Sequence, residues 1–85
     1  MTHYEVLGVE RHATTAQIRA AYLARARQLH PDRHVGATPA ELARAQRAMQ
    51  EVNAAWSVLS DPRARRDYDA SLRARVAGAG GGGGG

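Results

Sequence analysis

The sequence contains no cysteine, no phenylalanine and no lysine, and isoleucine occurs once, at Ile18. Without cysteine there is no disulfide scaffold and no thiolate zinc site. With β-branched and aromatic residues this scarce, an all-β core is hard to build. No apolar run approaches the roughly 20 residues that a membrane span needs. The first residues, Met1-Thr2-His3-Tyr4-Glu5, carry neither a basic head nor a greasy stretch, so they do not read as a secretory signal and the expected compartment is the cytoplasm. What the chain does have is helix-forming material: 18 alanines among 85 residues, with arginine supplying all 12 cations. The net charge of +4 favours an acidic partner surface or nucleic acid. The last eight residues are glycine except for Ala79. They read as a flexible linker, which divides the chain into one folded domain over residues 1–76 and a Gly-rich tail over 77–85.

Gly and Pro punctuate the rest into four expected helices. A short first helix runs from about Thr2, as cap, to Leu7, stopped by Gly8. The second starts at Thr14, where Thr14-x-x-Gln17 forms a capping box, and is expected to run to His30, where Pro31 stops it. Ile18, Tyr22, Ala26 and Leu29 share its inner face. Arg25 falls on that face as a misfit whose stem would snorkel along the core edge, while Leu23 points the other way between Arg19 and Arg27. The third helix has Thr38 as cap, Pro39 at its first position and Glu41 at its third. Its apolar residues Leu42, Ala45, Met49, Val52, Trp56 and Leu59 form a heptad-like seam that wants a long partner. Only the second helix is long enough, and the short connection between them makes the pair antiparallel. A fourth helix opens at Asp61-Pro62, carries Tyr68 and Leu72 one turn apart, and is expected to fade toward Val76. The fold class is therefore all-α. Tyr4, Tyr22, Met49, Trp56 and Tyr68 sit at helical spacing and read as core, Tyr22 alone having a second role open to it at the core edge, with its hydroxyl toward the outer face.

The segment His30-Pro31-Asp32-Arg33-His34 joins the two long helices. Pro31 fixes a dihedral and turns the chain sharply, so that Asp32 projects from a rigid corner where its carboxylate can accept a bidentate arginine. His30, placed in the last helical turn, would complement the negative end of the helix macrodipole. By itself, this is also how an ordinary solvated helix stop looks. A metal site is disfavoured, because Pro31 breaks the helix that would align His30 with His34, and no cysteine or suitable Glu motif accompanies His3 and His12. Nucleic-acid binding is disfavoured because the arginines are spread over three helices among Asp and Glu, with no reader motif. No nucleophile–base pair or paired carboxylates appear at useful spacing, so the chain does not read as an enzyme and needs no cofactor.

The residues flanking that turn change its weight. Tyr4-Glu5-Val6-Leu7-Gly8-Val9 opens the chain, Ile18-Arg19-Ala20-Ala21-Tyr22 precedes His30 by twelve residues, Val52-Asn53-Ala54-Ala55-Trp56-Ser57-Val58-Leu59-Ser60-Asp61-Pro62 closes the third helix, and Arg65-Arg66-Asp67-Tyr68-Asp69 follows. In order and spacing, from Thr2 to about Leu72, this resembles a J-domain, the module that defines DnaJ-type co-chaperones. The resemblance implies a four-helix domain with helices II and III as a long antiparallel pair and the His-Pro-Asp loop between them. It implies that the chain binds a DnaK-type chaperone ATPase of the heat-shock 70 class and stimulates its ATP hydrolysis. His30, Pro31 and Asp32 match the family's signature tripeptide, whose aspartate engages an arginine of the ATPase. Arg19, Tyr22 and Arg33 match contact positions of the basic docking face, to which Arg27 adds a charge. Arg65 matches an arginine that helps hold the domain together. The alternative is a degenerate J-domain serving only as a protein-interaction module.

The departures bear on that face. The family usually has Lys or Arg where this chain has Ala20, Leu23, Ala24 and Gln28; Arg25 stands for a usual core leucine and Trp56 for a tyrosine. A thinner basic face implies weaker, more selective docking, or a partner with an apolar spot opposite Leu23. Nothing in the sequence demands more than a monomer, a nucleic acid or a membrane.

Overall fold

A computed structural model describes residues 1–80, with side chains described to residue 76. It contains α1 (His3–Leu7), α2 (Thr15–Gln28), a 3-10 turn (Pro31–His34), α3 (Pro39–Leu59) and α4 (Pro62–Gly80), with no strand among the described residues. The molecule is thus all-α, as the composition requires. No described helix is long and apolar enough to cross a membrane.

Each helix start follows from its cap. Thr2 accepts the Glu5 N–H while the Glu5 carboxylate accepts the Thr2 N–H, and Thr14 and Gln17 repeat the same reciprocal arrangement. Thr38 accepts the Glu41 N–H just ahead of Pro39. Gly8 ends α1 at φ 72°, the left-handed conformation that a side chain disfavours. The expected helix ends differ at two places. The second helix stops at Gln28, with Leu29 as its C-cap, and so does not include His30. The fourth continues to Gly80, four residues past Val76, because extending a formed helix through the Ala77–Ala79 stretch needs no new nucleus. The remainder of the expected flexible tail, residues 81–85, lies outside the described residues.

The long pair is antiparallel: Tyr22 meets Asn53 and Trp56, whereas Leu29, the C-cap of α2, lines a cleft with Leu42 and Met49, earlier in α3. The core is Tyr4 and Leu7 from α1, Ala13 from the connection, Ile18 from α2, Val52, Ala55 and Leu59 from α3, and Leu72 from α4. The expected seam on α3 is buried only in its second half. Its first turns face the connecting turn, and Leu42 stays 38% exposed. The partner that the seam analysis did not supply is α1, which packs on α3 beside α2.

Helix α4 is tied to the start of the chain by polar contacts. Arg65 donates from Nε to the Tyr4 hydroxyl (3.1 Å) and from its terminal nitrogen to the carbonyls of Arg11 (3.0 Å) and Ala13 (2.8 Å). The Tyr4 hydroxyl in turn donates to the Asp69 carboxylate, and the Tyr68 hydroxyl accepts the His3 N–H at 2.9 Å. Arg65 therefore holds the domain together, the role its family position implied.

Burial first, and then the hydrogen bond to Asp69, raises the Tyr4 hydroxyl above its ordinary value of 10.0, with Arg65 pulling the other way. A folded value above the unfolded one means that the stabilisation is fully present below pH 10 and is lost as pH rises through the folded value. Thermal melts should therefore drop above pH 10 more steeply for the parent than for Tyr4→Phe, which has no proton to lose at this position. Parallel alkaline profiles would rule out this linkage.

Candidate functional site

The turn between α2 and α3 buries none of its residues, and the chain order explains its shape. Helix α2 ends on Leu29, whose N–H reaches the Arg25 carbonyl at 3.0 Å. Pro31 excludes helical backbone from the residue before it, and His30 is accordingly extended, at φ −62° and ψ 137°. The chain then closes one 3-10 turn, with the Arg33 N–H on the His30 carbonyl (2.9 Å), and leaves through Gly36 at φ 84°.

His30 caps this turn. Its Nδ1 accepts the backbone N–H of Asp32 at 3.2 Å and lies 3.6 Å from Asp32 Oδ2. This corrects the expectation that His30 sits in the last turn of α2 as a partner of the macrodipole. The helix ends at Gln28, three residues before Pro31, and the imidazole works as an N-cap of the next turn instead. The side chains of His30 and Asp32 are 60% and 92% exposed. The Asp32 carboxylate thus faces solvent from a corner fixed by a proline, a cap and a backbone bond, a geometry suited to a bidentate guanidinium on another molecule.

The other residues singled out in the sequence divide into two groups. Arg33 lies in the same turn, and Arg19 and Arg27 are exposed along α2, with Leu23 between them, 41% exposed. From Arg11 to Pro31 the chain holds four arginines and no acid, and two of them, Arg19 and Arg27, lie on this exposed face. Tyr22 is half-buried at the core edge. Its ring stacks on Trp56 at 4.9 Å between centroids, and its hydroxyl donates to Asn53 Oδ1 at 3.1 Å. The hydroxyl thus donates to α3 at an exposed position, with Trp56 stacked on the ring and Asn53 one turn from it. Asn53 and the capping role of His30 escaped the sequence reading; Asn53 stands in the same Asn-x-x-Trp stretch already singled out, three residues before Trp56.

Arg25 lies at the core edge as expected, lining one cleft with Val6, Leu29 and Val52. It is exposed, and its guanidinium comes within 3.6 Å of where a Cβ on Gly8 would stand, at the C-terminal end of α1. A cation at the negative end of a helix is favourable, which accounts for an arginine where an apolar residue would otherwise pack. Among the described residues no three His, Asp or Glu side chains are grouped as metal ligands.

The site is thus one exposed acid on a proline-fixed corner, beside an acid-free helix α2, in a small all-α domain. The DnaJ domain model matches residues 2–69, and the chain belongs to that family. It is 49% identical over 78 residues to the chaperone protein DnaJ of Leifsonia xyli subsp. xyli, covering 92% of this chain and 20% of that protein. It is 46% identical over 67 residues to the chaperone protein DnaJ of Caldicellulosiruptor saccharolyticus (79% of this chain, 16% of that protein). It is 39% identical over 67 residues to DnaJ homolog subfamily C member 7 of Homo sapiens (79% and 14%). The chain thus spans a fifth or less of these relatives' length.

Proposed function

We propose that this chain is a co-chaperone J-domain that binds a DnaK-type ATPase of the heat-shock 70 class and stimulates its ATP hydrolysis. The observation that carries this reading is the solvent-facing Asp32 carboxylate on its capped corner, adjoining the acid-free face of α2. The domain performs no chemistry. It acts by binding one state of the ATPase better than another, since a ligand shifts an equilibrium only by that difference. Asp32 makes the state-selective contact with an arginine of the ATPase, while Arg19, Arg27 and Arg33 steer and orient the encounter against an acidic surface. Tyr22 contributes by its ring and by fixing α2 on α3. The expected partner is protein, engaged by a monomeric domain, with no specific nucleic acid, no membrane, no metal and no cofactor involved.

The test is single-turnover ATP hydrolysis by a DnaK-type ATPase with and without the chain. Stimulation that saturates with the chain supports the reading, and none from a folded sample overturns it. Leu23 sets the expected strength. It occupies the centre of the basic stripe without contributing charge, and exposed charge pairs contribute about 0.2–1 kcal/mol. Leu23→Lys should therefore tighten binding by roughly two- to fivefold in low salt, the gain shrinking as salt is added. An unchanged or weaker affinity in the same titration would mean that the partner meets Leu23 with an apolar spot.

A further inference from the structure

The sequence holds no cysteine and two methionines, so Met1 and Met49 carry its only sulfur atoms. Their surroundings differ. Met1 is 94% exposed and has no part in the docking turn. Met49 is half-buried on α3 and lines a cleft of about 140 Å³ together with the apolar Leu29 and Leu42. The docking turn contributes Pro31 and His34 to the same cleft. Pro31, Leu42 and Gln46, three of the residues around it, are exposed, so the cleft communicates with solvent. A water molecule takes about 30 Å³ of liquid volume, so a molecule as small as hydrogen peroxide has room to enter.

We propose that Met49 is a site of reversible oxidation by hydrogen peroxide, and that its sulfoxide unseats the docking turn and silences the domain.

The step is a two-electron oxygen transfer. A lone pair on the thioether sulfur attacks one peroxide oxygen, the O–O bond breaks and an S–O bond forms. Sulfur is oxidised and the peroxide is reduced; the departing hydroxide takes the proton from the transferred oxygen and leaves as water. A dithiol reverses the step through a sulfoxide reductase, returning the thioether with water and a disulfide as products. In the oxidised state a flexible apolar side chain has become polar. Its oxygen then lies among apolar neighbours, where a polar group without a partner is unfavourable. His34 Nε2 is buried without a hydrogen-bond partner, and His34 lines this cleft. The new oxygen is satisfied by water drawn into the cleft, or by His34 in the tautomer that carries its proton on Nε2. Both routes shift the turn from its present packing on α3, and Pro31, which fixes the Asp32 corner, moves with it.

This inference rests on the proposed co-chaperone activity, and the test separates the two. The parent, Met1→Leu and Met49→Leu are treated with hydrogen peroxide, freed of it, and mapped by mass spectrometry for the oxygen added at each methionine. Leucine conserves volume and apolar character at position 49, so the untreated variant should stimulate a DnaK-type ATPase as the parent does. After treatment, stimulation by the parent and by Met1→Leu should fall about fivefold or more. Met49→Leu should keep its stimulation, and reductases for both sulfoxide epimers should restore that of the parent. Met49 left unoxidised when Met1 is fully converted overturns the proposal. So does unchanged stimulation by protein oxidised at Met49, an equal loss in Met49→Leu, or a loss that the reductases do not restore. Amide spectra of the chain alone decide the matter if no untreated sample stimulates, or if Met49→Leu melts too low to assay. In oxidised Met1→Leu, shifts centred on Asp32, Arg33 and His34 support the inference. An unmoved turn, or a collapse of the shifts throughout the domain, overturns it. Failure of the co-chaperone reading alone shows as absent stimulation before treatment, with the turn still shifting when Met49 is oxidised.

Discussion

Asp32→Asn should remove nearly all stimulation of the ATPase while leaving the domain as stable as the parent. The two halves of that expectation have separate physical grounds. The carboxylate is 92% exposed, and its backbone N–H, not its side chain, is what the His30 cap holds. Asparagine therefore disturbs no internal contact beyond the 3.6 Å approach of His30, and the melting curve should stay within about 0.5 kcal/mol of the parent. At the partner the loss is large. A carboxylate receives both prongs of a guanidinium, whereas an amide offers one acceptor and turns a donor toward the other prong. Hydrogen bonds to charged groups contribute about 1.5–3 kcal/mol, so a state-selective contact of that kind accounts for roughly 10- to 100-fold in the hydrolysis step. Single-turnover hydrolysis with saturating domain separates weaker docking from a lost effect: added Asp32→Asn should not restore the rate. If the parent itself gives no stimulation although folded, the chain is a docking module without activation, and the thinned face of α2 is the first place to look. If Asp32→Asn stimulates as well as the parent, the turn is not the selective contact.

What was legible in the sequence was whatever depends on local chemistry. Thr14 with Gln17, Thr38 with Pro39, and Gly8 each fix a helix end by bonds or dihedrals confined to a few residues, and each recurs in the structure. The antiparallel pairing of α2 and α3 was legible because two long apolar faces joined by a short connection have one way to meet. The turn was legible as a corner, through Pro31. Its internal wiring was not. Whether a histidine before a proline ends one helix or caps the next depends on the extended conformation that Pro31 imposes on His30, and the capping bond then follows from that geometry. Arg25 shows a similar limit. Helical periodicity assigns it to the inner face, and its stem keeps to the core edge beside Val6, Leu29 and Val52, but that its head reaches the end of α1 beside Gly8 depends on tertiary packing. The bond from the Tyr22 hydroxyl to Asn53 was not legible for a tertiary reason, since Asn53 lies 31 residues away in sequence. The packing of α1 on α3 was hidden because a five-residue helix carries too little pattern to declare a partner.

Arg65→Ala should be the most destabilising single change among the surface-reaching residues. Its guanidinium holds the carbonyls of Arg11 and Ala13 and the Tyr4 hydroxyl, and it lies over the Tyr4 ring at 5.4 Å. Those carbonyls belong to the connection between α1 and α2, which has few other ways to satisfy them where Ala13 is buried. Alanine would leave an acceptor without a donor and would free Tyr4 and Asp69 from the cation that balances them. Bonds from a charged donor contribute about 1.5–3 kcal/mol, and a stranded part-buried acceptor costs a further 1–3, so a total of about 2.5–6 kcal/mol is expected. A domain of this size has only about 3–5 kcal/mol in all. At roughly 4–8 °C per kcal/mol, the midpoint should fall by at least 10 °C. Arg66→Ala, one residue on and exposed, should shift it by a degree or two, because no internal bond depends on it. Thermal melts of the two variants decide the point, and equal small shifts would mean that water replaces the Arg65 guanidinium without cost. The functional consequence separates this network from the docking turn. Arg65→Ala should lose stimulation at 37 °C through unfolding and regain it on cooling below its own midpoint, whereas Asp32→Asn should be inactive at every temperature at which it is folded.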